Sequence, residues 1–150
     1  MLFQRLTAAS AMAVVMLQAG SALAAAVPMI VQADTVLSGP CVQTNQFKQK
    51  DAVVFRARVI DAATGEEMKA DDLASVVAKL PDGSSFDLHF GDHPPQNATD
   101  SFWSFAWAIP ADYPTGTLSY TIVATNKAGE SVTFEPFKIF PSQLTIAAAE

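Results

Sequence analysis

The chain is poor in the residues that most enzymes and metalloproteins depend on. Its 150 residues include one cysteine, Cys41, so an internal disulfide is excluded. Histidine occurs twice, at His89 and His93, which leaves little material for imidazole-based acid–base chemistry. No glycine-rich phosphate loop and no nucleophile elbow is present. Basic residues are outnumbered, nine against 15 acidic ones, and no basic stripe is found that would follow a nucleic acid or an anionic membrane. Only one apolar run is long enough to raise the question of a membrane, and it lies at the extreme N-terminus.

That run, Leu6 to Leu17, follows the single positive charge of Arg5 and precedes Gly20-Ser21-Ala22-Leu23-Ala24. The order is charge, short apolar stretch, then small-x-small at Ala22 and Ala24. It predicts a secretory signal peptide over residues 1–24, cleaved after Ala24 or Ala26, and is too short to be a span. The expected location is therefore the bacterial periplasm or the outside of the cell, with no membrane span after cleavage. Arg5 leaves with the signal, so the mature chain carries a net charge of about −7. In such a compartment Cys41 is expected to be a small, buried, inert thiol, the alternative being an exposed one able to bridge two molecules. Its setting, Leu37-Ser38-Gly39-Pro40-Cys41, is not a lipidation box, because Pro40 stands where a small residue is needed.

What is abundant is period-two alternation. Residues 25–50 read as an N-terminal strand and a loop, with Met29, Val31 and Ala33 on one face and Ile30 on the other. Asp51 to Asp61 (DAVVFRARVID) places Val53, Phe55, Ala57 and Val59 on one side and Arg56 and Arg58 on the other, a strand with one dry and one wet face. Met68 to Leu73 is expected to hold a helical turn. Ser75–Leu80 and Ser85–Phe90 flank Pro81-Asp82-Gly83-Ser84 and read as a hairpin, followed by a polar loop over 91–100. Ser101–Ile109 carries Trp103, Phe105, Trp107 and Ile109 on one face, the heaviest contribution to a core. Leu118, Tyr120, Ile122 and Ala124 precede a hairpin at Asn126–Gly129. Val132 and Phe134 continue the core, and a bulge at Pro136 is expected to bring Phe137 and Ile139 into it. Leu144–Ala148 adds a last half strand. The fold class is all-β.

The segment LSYTIVATNKAGES resembles the last two strands of fibronectin type III and related bacterial immunoglobulin-like domains, through Tyr120, Ile122, Ala124, Asn126, Gly129 and Ser131. The resemblance extends over 51–140 as strand order. It implies an immunoglobulin-like antiparallel β-sandwich of about seven strands over residues 51–150. It also implies a corner role for Tyr120, whose hydroxyl would bond nearby backbone; a plain core tyrosine is the other reading. The cysteine pair of many such domains is missing, and the tryptophans stand in a later strand than the fibronectin one.

One cluster points to chemistry. Asp87, His89, Asp92 and His93 offer two imidazoles and carboxylates, a first shell suited to copper or zinc, against the alternative of a wet loop. Asp61, Glu66, Glu67, Asp71 and Asp72 are a weaker calcium candidate. No catalytic residue is expected, and no other cofactor. The function expected is a secreted, non-catalytic binding or structural module acting through a protein partner, with no nucleic acid. Val54, Ile60, Phe102 and Val123 are apolar residues expected to face outward on such a module. The alternative is a periplasmic copper- or zinc-binding protein using His89 and His93.

Overall fold

The computed structural model describes residues 28–149; the segment expected to be a signal peptide, residues 1–24, lies outside them. The described residues are all-β apart from one short 3-10 turn at Phe140–Ser142. Its strands, in order, are β1 Met29–Leu37, β2 Val42–Gln43, β3 Gln46–Lys48, β4 Ala52–Asp61, β5 Leu73–Lys79, β6 Ser85–Asp87, β7 His89–His93, β8 Asp100–Ala108, β9 Gly116–Leu118, β10 Thr121–Asn126, β11 Ser131–Phe134 and β12 Leu144–Ala147. Three open sheets result, in the orders β2-β1-β4-β8-β7, β11-β10-β5-β6 and β3-β12-β9. The first two share one core in a sandwich-like arrangement.

The strand β4 shows why. Val53, Phe55, Ala57 and Val59 alternate with half-exposed neighbours and are all essentially inaccessible. The register pairs Val53 with Trp107, Phe55 with Phe105 and Ala57 with Trp103, so the aromatic face of β8 lies on the same side. Opposite them come Val76 and Ala78 of β5 and Ile122 and Ala124 of β10, all buried. Phe55 is the hub. Its ring lies 5.4 Å from that of Tyr120, 6.1 Å from Phe86 and 6.4 Å from Trp107, distances at which aromatic rings attract. Trp103 is buried and donates its indole N–H to the Met68 carbonyl at 3.1 Å, which satisfies the one polar atom it brings inside.

Several expectations need correction. Residues 85–90 do not form one strand. The chain pairs with β5 through Asp87, buries Leu88 and then crosses to the other sheet as β7, so the loop shrinks to residues 94–99. Residues 68–73 contain no helical turn. Met68 N–H donates to Val59 O at 2.7 Å, and a turn from Lys69 to Asp72 leads into β5. The ladder between β12 and β3 is parallel, because the chain's end returns beside a segment that enters the fold in the same direction. Finally, β11 stops at Phe134. Pro136 lacks the N–H that would continue the ladder, and Phe137 and Ile139 stand in water instead of the core.

The turns follow their residues. Gly83 adopts φ +91° between β5 and β6, a conformation that L side chains rarely take, while Asp82 accepts the Ser84 N–H at 2.8 Å. The Asn126–Gly129 hairpin is held by the Asn126 side chain, whose Oδ1 accepts the N–H groups of Ala128 and Glu130, both at 3.0 Å.

Replacing Phe55 by alanine removes the ring that touches both sheets and is expected to cost about 3–5 kcal/mol in urea unfolding. Phe137→Ala, at an 80% exposed position, is expected to change stability by less than about 0.5 kcal/mol in the same assay.

Candidate functional site

The wet face of the first sheet carries a row of paired groups. Asp34 of β1 lies opposite Arg56 of β4. Arg56 Nε donates to Asp34 Oδ1 at 2.8 Å and its Nη2 to Oδ2 at 2.6 Å, a two-point contact that raises the guanidinium pKa chiefly through the hydrogen bond. The same guanidinium lies 5.5 Å over the Phe102 ring, and the His93 ring meets Phe102 edge-on at 4.3 Å. Arg58 pairs with Asp100 and, at 3.8 Å, with Glu67. This face forms a shallow groove of about 340 Å³ whose arginines already have partners. All these groups are partly in water, so each pair contributes at most about 1 kcal/mol.

The four predicted metal-site residues are distributed over two places. Asp87 ends β6 and His89 begins β7, on either side of the crossing at Leu88, and both line a cleft of about 500 Å³ with Ser75 and Trp103. His93 lies four residues further along the extended strand, about 13 Å from His89 by strand geometry. Its Nδ1 is 2.8 Å from the Asp92 carbonyl. Asp92 accepts the Ser101 hydroxyl at 2.7 Å. Among the described residues no three His, Cys, Asp or Glu side chains converge as a group that could hold a metal ion. In the acidic set around Asp61, carboxylates act as local caps. Asp61 accepts the Ala63 N–H and Asp72 the Lys69 N–H, each at 2.8 Å, while Glu67 faces Arg58.

Cys41 is exposed, contrary to expectation. It is the last residue of the β1–β2 turn, with φ 54°, and its thiol lies 3.6 Å from the Ser38 carbonyl. It leads into the short edge strand β2, both of whose residues are exposed as well, so no neighbouring layer covers it. Tyr120 is a buried core tyrosine. No hydrogen bond of its hydroxyl to backbone is formed among the described residues, which leaves the corner role without its contact.

The feature that sequence reasoning missed lies beside β1. Residues 135–143 leave the core after Phe134 and run along the sandwich edge. They are tied down by Asn45, whose Nδ2 donates to the carbonyls of Phe140 at 2.9 Å and Gln143 at 2.8 Å. Phe137, Ile139 and Phe140 are 80%, 58% and 56% exposed. Between this segment and the edge of β1 lies a cleft of about 460 Å³. Its apolar lining includes Tyr120, Phe134, Pro136 and Phe137, and its rim carries Asp34 and Glu135. The available signal was the spacing of Pro136 and Pro141, which bracket an apolar run that neither proline allows to join a ladder.

Both tyrosines hold their protons more tightly than an exposed phenol. Tyr120 is raised by burial and then by the Asp34 charge. Tyr113 is pushed up to about 12 by burial and then by Asp82, which its hydroxyl reaches at 2.7 Å. A folded-state pKa above the unfolded value means stability that is complete below pH 10.0 and lost as pH rises through the folded value. The phenolate absorbance of the native protein is therefore expected to rise well above pH 10.0, with stability falling over the same range. In Asp82→Asn the Tyr113 midpoint should drop but stay above the ordinary phenol, because burial is its larger cause.

No protein-family profile matches this chain, and no curated protein is significantly similar to it.

Proposed function

We propose that this protein is an exported, non-catalytic binding module of immunoglobulin-like fold that acts through contacts with another protein. Support for the fold comes from strand order. The run β1-β4-β8-β7 facing β11-β10-β5 matches the A-B-E-D and G-F-C order of immunoglobulin-like sandwiches, with β6 as one more strand beside β5. Support for export comes from the N-terminal 24 residues, with their single Arg5, apolar run and Ala-Leu-Ala ending. The acidic balance, a formal net charge of −6, favours a protein partner over a nucleic acid.

The observation that carries the binding role is the segment 137–140. Three large apolar side chains are held in water on a backbone that Asn45 anchors at two carbonyls. Scattered exposed apolar residues are ordinary, but three within four positions of an anchored segment, with only Lys138 between them, support an interaction surface. A second reading, weak copper or zinc binding, is favoured by the cleft that Asp87 and His89 share. Two donors of this kind leave most of a coordination shell to water.

The variant Phe137→Asp/Ile139→Asp/Phe140→Asp is expected to melt at the native temperature and to lose a partner that the native protein captures from periplasmic extract. Equal capture by both would sink the reading. For the second reading, titration with Cu(II) and Zn(II) is expected to give a binding signal that His89→Ala abolishes.

A further inference from the structure

We infer that the free edge of β1, from Met29 to Ala33, takes an extended, basic segment of a partner protein as an added strand, with one apolar side chain of that segment seated in the cleft lined by Tyr120, Phe134 and Phe137. The inference rests on the reading that the chain binds a protein, and it names the site and the chemistry of what binds.

The backbone supplies the first argument. The Thr35 carbonyl accepts the Thr44 N–H at 3.1 Å, on the β2 side, while the Pro28 carbonyl accepts the Ala62 N–H at 2.8 Å, on the β4 side. Backbone groups alternate along a strand, so those of Met29, Val31 and Ala33 point away from β4. Among the described residues β2 covers this edge only at Val36 and Leu37. The remainder is a row of donors and acceptors with no ladder partner.

Comparison with the other edges supplies the second. Edge strands are normally blunted by shortness, proline, lysine, inserted charge or bulges. The outer strands β3, β6 and β9 have three residues each, and β11 has four before Glu135-Pro136. The edge strand β7 contains Gly91 and Asp92 and runs into Pro94-Pro95. Strand β1 has Pro28 before it and one charge, Asp34, but the stretch Met29–Ala33 holds no proline, charge or bulge. The strand spans nine residues, MIVQADTVL, and pairs with β4 at all nine positions without a register shift. It is long and free of proline, glycine and lysine.

The cleft supplies the third. A strand laid beside Met29–Ala33 runs toward Thr35, where the turn into β3 and the 135–142 segment open into the cavity of about 460 Å³. Backbone pairing then provides affinity, and one side chain in the apolar cleft provides selectivity. The charged groups bordering that cleft are Asp34 and Glu135, and Lys138 shares the adjoining hollow with Glu135. Arg56 already holds Asp34, so the exposed Glu135 meets an incoming cation. A second copy of this chain brings its own net charge of −6 to the same acidic rim, which favours a basic partner over self-pairing.

The test uses the purified protein and three synthetic peptides of alternating valine: one with lysine between the valines, one with glutamate, and the lysine peptide N-methylated at alternate amides so that it cannot ladder. Hydrogen exchange is followed by NMR. The lysine peptide is expected to slow exchange at Met29, Val31 and Ala33 at least tenfold and to shift the Phe137 resonances; the other two peptides are expected to do neither. Phe137→Asp, at a position too exposed to affect folding, is expected to weaken the lysine peptide about tenfold, the scale of one buried side chain. Equal binding of the N-methylated peptide, or protection confined to residues 137–140, overturns the added strand while leaving the binding module intact. Protection of β1 that appears with protein concentration alone, together with dimers in sedimentation, overturns the basic partner in favour of a second copy. No binding by any peptide, together with unchanged partner capture by the triple aspartate variant, overturns both readings.

Discussion

The alternation along β4 is the constraint from which the rest follows. One side presents Val53, Phe55, Ala57 and Val59 to the core, and the other presents Val54, Arg56, Arg58 and Ile60. A one-residue slip would exchange these sets, burying two arginines and exposing the Phe55 ring. The penalty for burying unpaired guanidinium groups is large enough to exclude the slipped register. With β4 held, β1 on one flank and β8 on the other have a single register each. The wet face is fixed by the same choice. Asp34 meets Arg56 because their backbones are paired opposite each other, and Phe102 lies beside the guanidinium because it shares the parity of Ser104.

The core was legible because it is built from local patterns. Val53, Phe55, Ala57 and Val59, Trp103 and Trp107, Ile122 and Ala124 are buried as their alternation required. The hairpins at Gly83 and Gly129 were legible from turn chemistry. Among the places that were not, three stand out. The crossing at Leu88 is invisible to periodicity, since one apolar residue between two short strands looks like the middle of one long strand. The exposure of Cys41 depends on the turn's shape, and a cysteine's type carries no information about that. Phe137 and Ile139 have the composition of core residues, and only the third dimension shows that β11 has ended before them.

That last misreading has a physical basis that bears on function. A sequence rule assigns apolar residues to the interior because burial is favourable wherever space exists. Here the two sheets and β12 already fill the interior. Leu144 and Ile146 close the end of the sandwich and are fully or almost fully buried. The segment before them crosses the outside with its apolar side chains uncovered. Asn45 holds that crossing in one path by bonding two carbonyls that would otherwise be left to water. Exposure of the three side chains is thus a consequence of how the last strand reaches its place.

The same route shapes the cleft. The segment leaves β11 at Phe134 and must reach β12, which runs parallel to β3 and antiparallel to β9. It therefore passes the open side of the sandwich, where β11 is the outermost strand of one sheet and β1, beyond the two residues that β2 covers, is the outermost of the other. A longer β11 would have continued alongside β1 and narrowed that side. Glu135-Pro136 stops it, and the cleft is the space that remains between the stopped strand and the edge of β1. The wall on the core side is Tyr120 and Phe134, whose rings lie 6.3 Å apart, so the cleft opens onto an aromatic floor continuous with Phe55. An apolar group entering there extends the packing that already joins the sheets, next to the point where the cover that β2 gives to β1 ends.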